Sequence, residues 1–254
     1  MRVVIMIIAA AVSLVLCLAV LNGALGPIPS ERVRAIAYFY LENTFNAANR
    51  SLWSSSPEAV NAILWDYRGL DTIFETTVLY TALLGCLVLA VRYVPKRDEE
   101  VAERLSVIAR AGVKIVAVFI LTLSLILGFK GFMTPGGGFQ GGAAFATMPF
   151  LVLAAFSLYT MHVMGFRIKR AEILRSIGLL GIGLLALAPY ILFKAYMVQN
   201  QSKPWSYSSI PTAIGGVETC GTLLFYNLLE LMVVAAEFTV IALVIASLGR
   251  GESR

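Results

Sequence analysis

Four carboxylates and a lysine stand inside or at the mouths of strongly apolar runs. Asp71 and Glu75 enter one run four residues apart, Glu230 and Glu237 lie seven apart in another, and Lys114 begins a third. Separations of four and seven place each pair on one face of an α-helix. A charge at membrane depth costs about 3 kcal/mol or more unless it is paired or hydrated. Groups of this kind either move ions and protons or bind helices and neighbouring subunits together. Four carboxylates with a lysine exceed what packing needs, which favours ion handling.

The elements that would position these groups are membrane helices. Of 254 residues, 59% are hydrophobic and 14% charged, the balance of a lipid-embedded chain. Runs near the length of about 20 residues that crosses a bilayer occur at residues 3–21, 70–91, 110–129, 143–163, 174–196 and 222–247. The expected fold is an all-α membrane protein with about six transmembrane helices, arranged two plus four. Arg2 precedes the first run as in a signal peptide, but its apolar core is long and no clear A-x-A cleavage site follows, so that run is read as a retained helix.

Lys and Arg sort by loop. Arg2, Arg92, Lys96, Arg97, Arg104, Arg110, Arg167, Lys169, Arg170, Arg175, Arg250 and Arg254 fall on one side; only Arg32, Arg34, Arg50, Lys130 and Lys203 fall on the other. The positive-inside rule then makes both termini cytoplasmic in a multi-pass protein of the cell membrane. Trp53, Trp65 and Trp205 agree, since all fall on the outer side, where amphipathic rings settle among headgroups. The net charge of +5 thus reports topology, and nucleic acid is not an expected partner.

Depth suggests one pairing. At 1.5 Å per residue, Glu237 lies roughly 24 Å from the outer end of its run and Lys114 roughly 8 Å from the inner end of its own. In a core about 30 Å thick these levels nearly coincide. A Lys114–Glu237 pair is expected, direct or through water, with Glu230 and Glu75 further out in the same polar track.

Two seams divide the chain. Residues 22–59 form a long outer segment in which Pro27 and Pro29 stop the first span, Ser30 can cap, and Val33, Ile36, Tyr40 and Leu41 recur at helical spacing. A surface-lying helix is expected there. Residues 94–108 carry charges of both signs and read as a cytoplasmic linker between a two-span unit (1–93) and a four-span unit (109–254). The three cysteines, Cys17, Cys86 and Cys220, show no paired spacing and read as small buried hydrophobes. The single histidine, His162, reads as a residue at a helix end, and no Cys/His cluster offers a metal site.

"GFMTPGGGFQGGAAF", residues 131–145, joins two apolar runs. Pro135 with Gly136, Gly137, Gly138, Gly141 and Gly142 reads as a tight turn with exposed backbone amides, packed closely against protein. A phosphate loop is excluded because the Lys and Ser/Thr of that motif are missing.

These residues carry a resemblance. "TPGGGFQGG", Thr134–Gly142, followed by small residues and further spans, resembles the signature of the MnhB-type (MrpB-like) component of Mrp-type Na+/H+ antiporters and of its equivalent in archaeal membrane-bound hydrogenase and sulfur reductase complexes, over roughly residues 108–250. "NAILWDYRGLDTIFE", Asn61–Glu75, resembles the C-terminal part of the large component of the same antiporters. Asp66, Arg68, Gly69, Asp71, Thr72 and Glu75 match its D-F-R-G-F-D-T-x-x-E pattern, and Glu230 falls where MnhB-type chains tend to have an aspartate. Phe132 and Met133 replace the His and Asn that often precede the glycines, so no ion role of that histidine applies here.

The resemblance implies a fusion of two neighbouring components into one non-catalytic membrane subunit of a module that exchanges Na+ for H+. Ion-translocation candidates are Asp71, Glu75, Lys114, Glu230 and Glu237; Asp66, Arg68, Gly69 and the Pro135–Gly142 segment are structural. Expected partners are the other Mrp-type membrane subunits, the lipid bilayer, Na+ and H+, with peripheral hydrogenase-like subunits in the redox-linked case. No cofactor is expected in this chain, and iron–sulfur clusters belong only to partner subunits. An archaeal respiratory complex that couples ferredoxin oxidation to ion pumping is the favoured setting. The alternatives are a stand-alone Mrp antiporter and a structural scaffold joining ion-pumping and redox modules. A free-standing membrane enzyme is disfavoured because HExxH and nucleophile-elbow motifs are missing.

Overall fold

The computed structural model describes residues 2–23, 33–90, 106–156 and 158–248. Two compact units form, residues 1–39 and 40–254. In the first, α1 (Arg2–Leu21) is a helix of 20 residues, with a described apolar stretch over Met6–Leu21. α2 (Ala35–Thr44) is the helix anticipated in the outer segment, and its residues fall on both sides of the boundary between the units. The Ser30 cap and residues 94–105 of the charged linker lie outside the described residues.

The second unit continues with the short α3 (Ala59–Ala62), whose first amides are capped by the Glu58 carboxylate. A π-helical turn follows at Ile63–Tyr67, closed by Arg68 N–H donating to Ile63 O at 2.8 Å. The wider turn leaves Leu64 O for the Thr72 hydroxyl, 2.7 Å away. α4 (Gly69–Ala90) starts directly after it. α5 (Val107–Lys130) is capped by the Ser106 hydroxyl, which accepts from Ala109 N–H at 3.2 Å. α6 (Gly138–Ala155), α7 (Leu158–Val163) and α8 (Ile168–Phe193) follow. A small hairpin of β1 (Ala213–Ile214) and β2 (Val217–Glu218) leads to α9 (Leu223–Leu248).

Five described helices, α4, α5, α6, α8 and α9, are long and apolar enough to cross a membrane, and the protein is a mostly helical, multi-pass membrane protein. The fourth span departs from its expected bounds of 143–163. Its helix begins five residues earlier, inside the glycines, and stops at Ala155 before α7. Cys17 and Cys86 are exposed and only Cys220 is buried, so burial does not explain the first two. His162 sits in the last turn of α7.

α9 is the central helix: 61% of its apolar stretch is buried, against 11% for α5 and 22% for α4 and α8. α6 and α8 pack most extensively on it, and α5 packs on α6. Contact is close because small residues face α9. A Cβ on Gly142 would lie 2.6 Å from Val234 Cβ and 3.0 Å from the Ala235 amide. Gly142→Ala is therefore expected to destabilise the unit by about 1–3 kcal/mol, the usual cost of overpacking, measured as a lower melting temperature in detergent. Gly112→Ala, where a Cβ meets nothing within 4 Å, is the matched control and should be silent.

Candidate functional site

The buried polar side chains of α9, among them Asn227, Glu230 and Glu237, lie in otherwise apolar spans. Asn227 and Glu230 are one helical turn apart, and Glu237 lies two turns further on, about 10 Å along the axis. Glu230 is 5% exposed and accepts a hydrogen bond from the Phe139 amide at 3.0 Å. That amide is free because α6 begins at Gly138 and its first N–H groups have no partner within the helix. The positive end of the helix therefore faces the carboxylate.

The glycines make this meeting possible. Gly137 turns into α6 with φ +155°, a conformation that L side chains rarely adopt. A Cβ on Gly138 would sit 2.6 Å from Glu230 Cβ and 2.7 Å from Oε2. The expected turn with exposed amides is present, and one of those amides holds a carboxylate. Alongside, Asn61 Nδ2 donates to Asn227 Oδ1 at 2.8 Å, which joins α3 to the same track.

Glu237 is 0% exposed, and neither carboxylate oxygen has a hydrogen-bond partner. The Lys114–Glu237 pair does not form: Lys114 is exposed on α5, and the cation acting on Glu237 is Arg175. Arg175, on α8, is also 0% exposed. Its Nη2 donates to Glu172 Oε1 at 2.7 Å and its guanidinium lies 4.4 Å from the Tyr80 ring centroid. Its Nε and Nη1 lack partners, as do both Glu237 oxygens. These four buried polar atoms, on groups of opposite charge, are left without protein partners, whereas buried polar groups are ordinarily satisfied by protein or by water.

The remaining candidates divide. Asp71 is exposed and bonded to Arg68 Nε at 2.6 Å. Glu75 is exposed on α4, yet its charge reaches Glu230. Asp66 and Arg68 do not pair with each other. Asp66 accepts from Lys203 Nζ at 2.8 Å and from the Asn200 amide at 2.9 Å. Lys203 also donates to Trp53 O at 3.0 Å, 5.2 Å from the Tyr67 ring centroid. Burial pushes the Asp66 carboxyl above the usual carboxylate range, and the Lys203 ammonium offsets part of that rise. Burial likewise pushes the Tyr67 phenol up.

Asn200 completes this clamp. It donates to Ser54 O and Cys220 O and accepts from Thr222, binding three segments at one end of the bundle. Lys203→Met leaves the Asp66 carboxylate buried without its cation and is expected to cost about 3–5 kcal/mol, read as loss of folded chain in detergent. Asp66→Asn with Lys203→Met should recover much of that loss.

Sequence reasoning missed Arg175, Asn61, Asn227 and Lys203. Arg175 lies one residue inside the apolar run that starts at 174, which was its only local signal. Asn227 shares a helix face with Glu230. Among the described residues, no cluster of three or more His, Cys, Asp or Glu forms a metal site.

A polytopic helical bundle with charges buried in its central span defines a multi-pass membrane protein of the kind found in multisubunit membrane assemblies. Residues 108–240 match the family described as "Domain related to MnhB subunit of Na+/H+ antiporter", so the chain belongs to that MnhB-related family. It is 28% identical over 158 residues to an uncharacterized protein of Methanocaldococcus jannaschii, covering 56% of this chain and 59% of that one. The chain thus spans about six-tenths of that relative's length. It is 29% identical over 97 residues to a protein named as antiporter subunit mnhB2 of Staphylococcus haemolyticus, covering 38% of this chain and 67% of that one.

Two solved structures share the fold. One is a chain of the membrane-bound sulfane sulfur reductase, an archaeal respiratory membrane complex, with TM-score 0.62, 23% identity, and 96% and 97% of the two chains covered. The other is a chain of the Mrp complex from Dietzia, with TM-score 0.62, 22% identity, and 96% of this chain matching 26% of that one.

Proposed function

We propose that this chain is a non-catalytic component of an Mrp-type module that exchanges Na+ for H+, and that its α9 track forms part of the ion path. The observation that carries this reading is the Arg175–Glu237 locus: opposite charges fully buried within the spans, with four polar atoms that have no protein partner and so can take water or a passing ion. Carboxylates in a wet track bind Na+ and H+ alike. Glu230, held at the N-terminus of α6, and the nearby charge of Glu75 extend the track toward the Trp53-bearing end.

Asp71, Glu75 and Lys114 face outward from apolar spans, where lipid is a poor neighbour for charge. Their exposure supports burial against other membrane subunits. In this reading both termini are cytoplasmic, the chain joins units 1–93 and 109–254 through the charged linker, and any iron–sulfur clusters reside in partners. The match of nearly the whole chain to a quarter of a longer Mrp chain supports the fused arrangement.

The favoured setting is a respiratory complex that couples ferredoxin oxidation to ion pumping. A stand-alone antiporter is the second reading, supported by an equal TM-score to the Mrp complex. Purifying the complex in mild detergent, identifying its subunits by mass spectrometry and assaying iron separates the two. Redox subunits with iron support the first; antiporter subunits without iron support the second. Na+/H+ exchange in proteoliposomes then tests the ion path itself.

A further inference from the structure

α5 and α8 both lie on α9 and leave a crevice of about 260 Å³ between them. Leu231 and Ala235 of α9 floor it, and Leu121, Leu125 and Leu174 line its walls. Thr239 also lines it, and its hydroxyl donates to Ala235 O at 2.7 Å, so the lining between the leucines presents hydrocarbon. The mouth differs. Arg167 and Arg170 line it, Lys169 stands between them in sequence, and all three are exposed.

Among the described residues these cations are unspent. None forms an ion pair among the described residues, and the adjacent acid, Glu172, is taken by Arg175. Among the described residues Arg170 Nη1 donates to Gly165 O, at 3.5 Å. The three also begin α8, where Arg167 provides no side-chain cap. The free first amides and the positive helix end therefore add to their charge.

An apolar slot that opens beside cations with no ion pair among the described residues complements one amphiphile, with its chain in the slot and its phosphate at the mouth. We propose that this crevice is a binding site for an anionic phospholipid, held by Arg167 and Arg170 at the headgroup and by α5, α8 and α9 along one acyl chain. Basic pockets between membrane helices recognise anionic headgroups on these grounds. A neutral lipid lacks the charge, and soluble phosphate lacks the chain. The site uses none of the residues assigned to the polar track, so it is tested independently of the ion path.

The test is thermal unfolding of the full chain in neutral detergent, titrated separately with phosphatidylglycerol, phosphatidylcholine of the same chains, and inorganic phosphate. Phosphatidylglycerol alone should raise the melting temperature. Arg167→Gln with Arg170→Gln should weaken its apparent affinity about thirtyfold, from about fivefold per cation beside an anionic surface. Leu174→Trp, which fills the slot and keeps the cations, should also abolish the response. An equal response to phosphatidylcholine or to phosphate would overturn the proposal, as would an undiminished phosphatidylglycerol response in either variant.

Discussion

Glu237→Gln yields an assembled complex whose Na+/H+ exchange in proteoliposomes falls by roughly a hundredfold or more, the scale on which a positioned proton-transfer group acts. The substitution keeps shape and volume and removes only the charge. Folding is expected to tolerate it, because both Glu237 oxygens already lack hydrogen-bond partners. Arg175 retains its bond to Glu172 and its stacking on Tyr80. The loss should therefore fall on transport rather than on recovery of the complex. Glu230→Gln differs in one respect: a neutral amide accepts less strongly from the Phe139 amide, so a modest loss of stability accompanies its transport defect. A Glu237→Gln complex that exchanges ions at the parent rate would make the α9 carboxylates structural and return the scaffold reading.

Arg175→Met is expected to destabilise the chain by about 3–5 kcal/mol, because it removes the cation whose charge acts on the fully buried Glu237 and leaves that charge uncompensated in a low dielectric. Total stabilities of about 5–15 kcal/mol make this a large fraction, so little assembled complex should be recovered. Two contacts go at once, the bond to Glu172 and the Tyr80 face, together with the favourable charge acting on Glu237. Combining Arg175→Met with Glu237→Gln removes both charges and should restore more than half of the lost stability. The double-mutant cycle isolates the coupling between them. If the double variant is no more stable than Arg175→Met alone, Arg175 does not serve Glu237, and the locus is a local Arg175–Glu172 brace.

The two results read different quantities. Glu237→Gln separates conduction from assembly, whereas the Arg175 cycle measures how strongly the two charges depend on each other. Lys114→Met is a useful companion. An exposed lysine with no ion pair among the described residues should leave the isolated chain's stability nearly unchanged, and any loss in the complex identifies the face that a neighbouring subunit covers.

The sequence by itself determined the helical membrane class and the helix–helix use of the glycines. Hydrocarbon cannot hydrogen-bond a backbone, so long apolar runs have one stable local answer. Local composition also located Glu230 and Glu237 on one face of one span, since helical period converts spacing directly into direction. Tertiary structure decided which charges meet. Depth along the membrane placed Lys114 level with Glu237, but level groups face each other only if their helices rotate toward one another, and packing turned Lys114 outward and Arg175 inward. Arg175 looked like a loop cation because it stands one residue inside an apolar run, where sequence cannot distinguish a snorkelling side chain from a buried one. Asp66 found Lys203 across 137 residues. No local pattern encodes such a pairing; it follows from the route of the chain after α8, which the packing of α4, α8 and α9 sets.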